Sequence, residues 1–393
     1  MGSVVRVKEL ASSLGSLGVE VYIFTPYERS FDLSPRVHVV SMNILTSSVG
    51  LSKALYRLTK FLYYGKAFPS LYAKTASRQN CILIGLTKIM SKTLLRKNID
   101  LIQVEQDVAL PIGLGLKNKT NLPLIVDLHN VSSEELVTAG VFKKESLEFS
   151  VLQNWTRNCL ADADRVAVVS DCMRDYVIAN YGLKPIDVCV VPPGGRSRVD
   201  KSVVMKRTRP FKIVYGGLVA CRERVDIFVK SMPFVMRHNE GVQFYITNKG
   251  EAIREIRKLA TQLGVEPTFF WFNDYGAANR FLSQCHIGVL PSANDLARRM
   301  GTPAKLFNYM SLGLPIVAND IGGWAEIISK EKVGLVCSDD PNEFGQALMK
   351  IADDPRAMRE YALNGMALVE KKYNWDISAQ TLLTTYEDLV GKS

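Results

Sequence analysis

In the second half of the sequence, several cations and glycines lie in loops or at the starts of helices, where residues of these types can bind a ligand. Arg222 and Arg224 come after an apolar strand, and Lys305 stands at the start of a helix. Gly322 and Gly323 precede a further helix. An arginine can donate two hydrogen bonds to one phosphate, and glycines let the backbone and a helix N-terminus approach an anion closely. The pattern predicts a site for a phosphate-bearing ligand, with solvated loop residues and a plain turn as the alternative.

Polar side chains also follow two strands of the first half. Glu105 and Gln106 end the strand over 101–105, and His129 and Asn130 come directly after the strand over 124–128. Because open parallel sheets bind ligands at the carboxyl ends of their strands, we expect these side chains at one ligand site. A histidine titrates near neutral pH and can bind or relay a proton, while Glu105 can accept a hydrogen bond from a hydroxyl. A structural histidine and a loop-capping glutamate are the alternatives.

The histidines, cysteines and aspartates lack the spacing that a metal site or a disulfide framework requires. The four histidines lie far apart, the seven cysteines form no CxxC pair, and no Asp-x-Asp motif has a supporting context. We therefore predict neither a metal site nor a bound cofactor. The scattered thiols are typical of small core residues in a protein from a reducing compartment.

An alternation of strands and helices runs through most of the chain and must position these residues. Buried-strand patterns recur at 19–25, 37–42, 101–105, 124–128, 165–170, 188–192, 212–215, 244–247, 268–272, 287–291, 315–318 and 334–337. Helical patterns separate most of them, which predicts an α/β fold with doubly wound parallel sheets. The turn-rich and charged stretch over 192–210 is typical of a linker between two halves that face a central cleft.

The net charge of +10 is concentrated in one region. Residues 33–99 contain eleven lysines and arginines and no aspartate or glutamate, so the rest of the chain sums to −1. Within this region, apolar residues over 51–62 recur at helical spacing beside a basic face and flanking tyrosines. This pattern is typical of a helix that docks on an anionic membrane surface, and a helix packed on its own core is the alternative. Nucleic acid is disfavoured as a partner, because no RNA- or DNA-binding motif accompanies the charge.

The lack of a long apolar run and the helical pattern at the start of the sequence lead to two further expectations. No apolar run is long enough for a membrane-spanning helix, and no secretory signal follows Met1, so we expect a cytoplasmic protein that contacts membranes only peripherally. A doubly wound domain usually opens with a buried strand, but this sequence opens with a helical pattern. We expect a translation start assigned too far downstream or a truncated chain, with Gly2 as a remnant of the Gly-rich turn.

Motifs along nearly the whole chain resemble glycosyltransferase family 4 within the GT-B superfamily. In the first half, the resembling segments are 6–26, Asp127-Leu-His-Asn130, the Ala-Asp-Arg-Val run over 163–170, and Val191-Pro-Pro-Gly-Gly195. In the second half, they are Tyr215-Gly-Gly-Leu218 and the stretches over 303–310, 313–318 and 322–328. The order and spacing of these segments together make the resemblance specific.

The resemblance implies a GT-B fold of two Rossmann-like domains, over 1–195 for the acceptor and 196–372 for a nucleotide-sugar donor, with a helix over 373–393 returning to the first domain. It implies a metal-independent, retaining transfer of a sugar from that donor. The basic region over 33–99 adds the expectation that the glycan acceptor is lipid-linked or membrane-proximal. Predicted donor-binding residues are Gly217, Arg222, Arg224, Lys305, Asn308, Gly322 and Gly323. His129 and Glu105 are the predicted catalytic residues, and Gly2 and Asn130 the predicted acceptor-binding residues. The resemblance does not decide between Arg222 and Arg224.

The sequence departs from the family at its Glu-x7-Glu motif. Met300 and Asn308 stand where the family carries the two glutamates, whose roles are to contact the donor sugar and the ribose. An asparagine can still hydrogen-bond a ribose hydroxyl, and Asp295 in the preceding loop is a candidate for the lost carboxylate. The missing glutamates and the missing first strand favour one alternative, a non-catalytic GT-B relative that serves as a binding or scaffold subunit. A nucleotide-sugar epimerase and a transferase with a soluble acceptor are further alternatives, which the basic region disfavours.

Overall fold

A computed structural model describes residues 2–25, 33–41, 90–91, 94–196 and 210–391. Their contacts divide the chain into two units, one over Met1–Pro192 with Asp376–Ser393 and the other over Pro193–Trp375. The predicted basic helix over 51–62 and most of the predicted linker lie outside the described residues.

Among its described residues, the first unit contains two parallel sheets built from short apolar strands. Its strands are β1 (Val21–Thr25), β2 (Val37–Ser41), β3 (Ile102–Glu105), β4 (Leu124–Leu128), β5 (Arg165–Val168) and β6 (Val188–Val190). The helices are α1 (Gly2–Ser16), α2 (Leu110–Thr120), α3 (Ser132–Thr138), α4 (Leu147–Ala161) and α5 (Asp171–Tyr181). Strands β1 and β2 pair with each other, and β3 to β6 form a second sheet in chain order. Every residue of β4 is buried, as expected for a parallel strand covered on both faces.

Side-chain caps set where two helices of this unit begin. The Ser146 hydroxyl accepts a hydrogen bond from the Phe149 N–H at the start of α4, and Ser170 does the same for Met173 at the start of α5. These bonds satisfy N–H groups that the first turn of a helix leaves unpaired. The cap of α5 directly follows β5, so the strand passes into its helix within a few residues.

The second unit is a single parallel sheet of six strands in the order β12-β11-β10-β7-β8-β9. Its strands are β7 (Phe211–Tyr215), β8 (Val242–Thr247), β9 (Thr268–Phe270), β10 (Ile287–Leu290), β11 (Ile316–Asn319) and β12 (Gly334–Cys337). The helices are α6 (Val225–His238), α7 (Ile253–Gln262), α8 (Tyr275–Leu282), α9 (Leu296–Met300), α10 (Ala304–Ser311), α11 (Ala325–Lys330), α12 (Pro341–Ala352) and α13 (Pro355–Lys371). The order reverses beside the first strand, where β7 lies between β10 and β8, so the loops after β7 and β10 lie at a topological switch point.

The last helix, α14 (Trp375–Val390), packs on the first unit from Asp376 onward. Ser13 donates a hydrogen bond to Asp376 at 2.6 Å, and Ser378 donates to the carbonyl of Pro192 at 2.8 Å. Tyr386 near the end of the helix donates to Gln103 in β3. The predicted return of the C-terminal helix to the first domain is confirmed, as is the predicted α/β class with parallel sheets. Among the described residues, no helix combines the length and the apolar character that crossing a bilayer requires.

Candidate functional site

The loops at the carboxyl ends of β7 and β10 come together in the second unit. A short 3-10 turn, Cys221–Glu223, follows β7 and leads into α6. The N–H of Ala293, after β10, donates to the carbonyl of Arg222 at 2.8 Å. This backbone bond fixes the turn against the loop that leads to α9, so side chains from both loops share one space.

Three cations surround one carboxylate in that space, and we call Arg222, Glu223, Arg298 and Lys305 the cation cluster. The Lys305 ammonium donates to Glu223 Oε2 at 2.5 Å, and it also donates to the Tyr215 hydroxyl at 2.9 Å. Arg298 Nη1 lies 3.6 Å and Arg222 Nε 3.9 Å from Glu223 Oε1. Three positive charges and one negative charge leave a net charge of +2. A cluster with this excess favours an anionic ligand.

Burial and charge act in opposite directions on the carboxylate of the cation cluster. Burial works to raise the pKa of Glu223, but Lys305, followed by Arg298 and Arg222, outweighs it and holds the pKa below its ordinary value. Glu223 is therefore ionised at neutral pH. Arg222 Nε is buried without a hydrogen-bond partner among the described residues. A buried, unpartnered guanidinium N–H is costly, which fits a position that a bound anion completes.

Two of the predicted glycines make room for this arrangement. A Cβ on Gly217 would lie 2.5 Å from Lys305 Cδ and 2.7 Å from its Nζ, so the glycine leaves the space in which the ammonium sits. Gly323 has a left-handed φ of 57°, and a Cβ there would lie 2.3 Å from the Arg299 carbonyl oxygen. Gly322 has a φ of 69°, and its N–H donates to Asp320 at 3.0 Å. The Gly322–Gly323 loop therefore packs closely on the segment that carries Arg298.

The remaining predicted donor residues have partners elsewhere in the second unit. Arg224 has a φ of 43°, which turns its side chain toward Asp226 at 3.0 Å and Asp339 at 3.7 Å. Asp295 caps α9 by accepting from the Arg298 N–H at 3.0 Å. Asn308 accepts from Tyr275 at 3.0 Å and donates to Asn279 at 3.1 Å. The structure thus brings Gly217, Arg222 and Lys305 together and places Arg224 and Asn308 in other hydrogen-bond networks.

In the first unit, a buried ion pair links α1 to the end of β4. The Arg6 guanidinium donates from Nε and Nη2 to the two oxygens of Asp127, both at 2.9 Å. Arg6 is 3% exposed and Asp127 is fully buried. Burial works to raise the pKa of Asp127, but Arg6 and then His129 outweigh it and hold the pKa well below its ordinary value.

His129 extends this pair toward Glu105, and we call Arg6, Glu105, Asp127 and His129 the carboxylate–histidine network. His129 Nε2 lies 2.8 Å from Glu105 Oε2 and 3.4 Å from Asp127 Oδ2. Burial lowers the pKa of His129, but Asp127 and then Glu105 outweigh it and raise the pKa to about 9. The structure therefore differs from the prediction of a histidine that titrates near neutrality: the imidazole is a cation at pH 7, because two carboxylates face it.

Buried polar atoms around the carboxylate–histidine network have no protein hydrogen-bond partner among the described residues. They include Arg6 Nη1, His129 Nδ1 and Gln106 Oε1. Gln106 has a φ of 71°, a strained conformation for a non-glycine residue and one that is enriched at functional sites. Asn130 is half-buried in the turn before α3, and Gly2 is the first residue of α1. Both donors and acceptors are thus available to a ligand that carries hydroxyl groups.

Glu105, Asp127 and His129 also have the residue types of a metal site, and their ligand atoms lie within 4.8 Å of one another. Arg6 occupies both oxygens of Asp127, and a protonated imidazole has no lone pair to give to a metal. The arrangement fits an ion network better than a metal centre.

Sequence reasoning missed Arg6, Asp127, Glu223 and Arg298. Glu223 carries a weak signal, since a glutamate between two arginines in a strand-to-helix loop has an obvious counter-charge role. Arg6 has none, because its partner is 121 positions away in the sequence.

Comparisons with known proteins show the family to which the chain belongs. The family model of glycosyl transferases group 1 matches residues 210–354, and that of the glycosyl transferase 4-like domain matches residues 1–194. The chain is 22% identical to the MMP alpha-(1->4)-mannosyltransferase of Mycolicibacterium hassiacum, over 100% of this chain and 95% of that protein. It is 24% identical to the GDP-mannose-dependent monoacylated alpha-(1-6)-phosphatidylinositol monomannoside mannosyltransferase of Corynebacterium glutamicum, over 48% of this chain and 50% of that protein.

Solved structures share the fold. Sucrose-phosphate synthase from Thermosynechococcus elongatus superposes with a TM-score of 0.74 at 17% identity, over 99% of this chain and 94% of that one. Anabaena HepE in complex with UDP and glucose superposes with a TM-score of 0.69 at 14% identity, over 99% and 96% of the two chains. The chain belongs to the GT-B glycosyltransferases and resembles family 4 among them.

Proposed function

We propose that this glycosyltransferase moves a sugar from a nucleotide-diphosphate sugar to a hydroxyl of a lipid-linked or membrane-proximal acceptor, with retention and without a metal ion. The observation that carries the proposal is the cation cluster at the carboxyl end of β7. Its net charge of +2 matches the two negative charges of a diphosphate that is esterified at both ends.

The cation cluster gives the leaving diphosphate its electrostatic support. As the glycosidic bond breaks, negative charge develops on the phosphate oxygen that leaves, and fixed cations stabilise it more than the ground state. Lys305 and Arg298 lie on either side of Glu223, at its two oxygens, so they can engage different phosphate oxygens. A bidentate arginine adds orientation to charge. This support takes the place of a divalent cation.

The carboxylate–histidine network suits the acceptor side of the reaction. Glu105 is half-buried and can accept a hydrogen bond from the attacking hydroxyl. His129 is protonated at neutral pH, so it serves as a hydrogen-bond donor and as a positive charge rather than as a base. We nominate no protein nucleophile, because a front-face transfer assisted by the leaving phosphate needs none.

The membrane-proximal acceptor is supported by charge and by a relative. Residues 33–99 contain eleven cations and no acidic residue, and each cation near an anionic leaflet contributes about 1 kcal/mol. The C. glutamicum relative is named as a mannosyltransferase of a monoacylated phosphatidylinositol monomannoside, which is a lipid. Flotation with vesicles of anionic and of zwitterionic lipid tests this part: we expect binding to the anionic vesicles alone and release at high salt. Equal flotation with both would contradict it.

A thermal-shift screen of UDP, GDP, ADP and their sugar conjugates tests the donor. A ligand at about 100 times its Kd stabilises the protein by about 2.7 kcal/mol, so we expect a clear shift with one base. Lys305→Ala should abolish that shift, while Lys330→Ala, which removes a lysine from an exposed i,i+4 pair, should retain it. A folded protein that responds to none of these compounds would overturn the proposal in favour of the non-catalytic relative, which the absence of the two glutamates at Met300 and Asn308 favours.

A further inference from the structure

Glu223 is the one member of the cation cluster whose charge opposes an anionic ligand. It lies in the turn between Arg222 and Arg224, and its side chain is 15% exposed. Its Oε2 accepts from Lys305 at 2.5 Å, and Oε1 faces Arg298 at 3.6 Å. The Tyr215 hydroxyl lies 3.2 Å from Oε2. An anion that bound to these cations would lie close to this carboxylate, which would repel it.

The donor and the product of the proposed reaction differ in charge. In a nucleotide-diphosphate sugar both phosphates are diesters, so the diphosphate carries two negative charges. In the free nucleoside diphosphate the terminal phosphate gains an ionisable oxygen, whose pKa is about 6, and the total approaches three negative charges at pH 7.5. The added charge sits on the phosphate that the sugar leaves, where the cations must stabilise the developing negative charge.

We propose that Glu223 is a specificity-determining residue that weakens the binding of the nucleoside diphosphate product relative to the nucleotide-sugar donor. This inference rests on the proposed function. With Glu223 ionised, the cation cluster has a net charge of +2, which balances the donor and leaves the third charge of the product unbalanced. With a neutral residue in its place, the net charge would be +3 and would balance the product instead.

Glu223 also holds Lys305 in place, so its removal changes affinity in two ways. Loss of the Lys305 contact affects donor and product alike, because both present a diphosphate. Loss of the negative charge affects the product more, because the product carries the additional charge. The ratio of the two dissociation constants therefore separates the charge role of Glu223 from a structural role.

The experiment is calorimetric titration of the wild type, Glu223→Gln, Glu223→Asp and Asp226→Asn with a nucleoside diphosphate and its sugar conjugate. The probes are UDP with UDP-glucose, GDP with GDP-mannose and ADP with ADP-glucose, at pH 7.5 and at pH 5.5. For the pair whose base binds, Glu223→Gln should shift the Kd ratio toward the product by about three- to tenfold at pH 7.5. The shift should shrink at pH 5.5, where the terminal phosphate is largely singly charged.

The other variants keep the result interpretable. Glu223→Asp retains the charge and should keep the wild-type ratio even if both affinities fall. Asp226→Asn removes a nearby carboxylate that pairs with Arg224 and Lys230, outside the cation cluster, and should leave the ratio unchanged. An unchanged ratio in Glu223→Gln, or an equal shift in Asp226→Asn, would overturn the inference alone. Failure of every probe to bind the wild type would overturn the proposed function and the inference with it.

Discussion

The carboxylate–histidine network of the first unit and the cation cluster of the second both lie at the carboxyl ends of parallel strands, but the network is neutral and the cluster has a net charge of +2. Each follows the carboxyl ends of parallel strands, β3 and β4 in one unit and β7 and β10 in the other. The network has two cations and two carboxylates, whereas the cluster has three cations and one carboxylate. A balanced group can be stable without a ligand, while an unbalanced group is completed by an anion.

This difference predicts which property of the protein each group affects most. In the network, Arg6 and Asp127 are buried and hold each other in two hydrogen bonds. In the cluster, three cations share the single carboxylate of Glu223. We therefore expect changes in the network to affect stability most, and changes in the cluster to affect ligand binding most.

Loss of the Asp127 carboxylate should lower the stability of the protein more than any of the substitutions proposed below. Asp127→Asn leaves the Arg6 guanidinium and the His129 imidazolium facing each other without a buried negative charge between them. Breaking a buried ion pair by removing one partner costs about 3–5 kcal/mol. Urea unfolding at pH 7 should show a large fall in the midpoint of the first unit.

The matched control is Asp187→Asn. Asp187 pairs with Arg165 at 3.1 Å, but the aspartate side chain is 34% exposed. A pair this exposed contributes about 1 kcal/mol or less, so the control should change little. An equal loss of stability in the two variants would show that burial of the Arg6–Asp127 pair does not determine how much the pair stabilises the protein.

The stability of the first unit should depend on pH through His129. Because the pKa of His129 is raised to about 9 from about 6.5, its contribution is fully present below pH 6.5 and is lost as the pH rises through 9. The full loss is on the order of 3 kcal/mol. Urea unfolding between pH 6 and 9.5 should show it in the wild type.

The dependence should disappear in His129→Gln. The exposed His38→Gln variant, which removes a partner of Glu20, should retain it. A wild-type stability that stays flat over this range, or that rises with pH, would mean that His129 is neutral in the folded protein.

The strands and the family could be predicted from the sequence, because both depend on patterns of residues that are close together in the chain. Apolar runs between turn residues predicted β4 at its observed bounds, and motif order predicted the donor half. The ion networks were not accessible, since Lys305 lies 82 positions from Glu223 and Arg6 lies 121 from Asp127. Nor was the choice between Arg222 and Arg224, which depends on one backbone angle, the left-handed φ of 43° at Arg224.

That angle predicts a difference between the two arginines in nucleotide binding. Arg222→Ala should weaken the binding of a nucleoside diphosphate about tenfold or more, because it removes a cation of the cluster. Arg224→Ala should change it less than about twofold, because Arg224 pairs with Asp226 and Asp339. Calorimetric titration measures both. A larger loss of affinity in Arg224→Ala than in Arg222→Ala would show that Arg224, and not Arg222, binds the nucleotide with the cation cluster.

Gly217→Ala tests whether the space beside Lys305 matters for ligand binding, and we expect a small change in affinity. The backbone of Gly217 does not have a positive φ, so alanine is compatible with its conformation. Its Cβ would nevertheless lie 2.7 Å from Lys305 Nζ, which forces the flexible end of that side chain to move. We expect nucleoside diphosphate affinity to fall about threefold with little change in stability, because the ammonium moves but keeps its charge. Gly241→Ala is the control, since the nearest atom to its Cβ would be Asn239 Oδ1 at 3.5 Å. If Gly217→Ala left affinity unchanged while Lys305→Ala abolished it, the charge of Lys305 would matter and its position within the cation cluster would not.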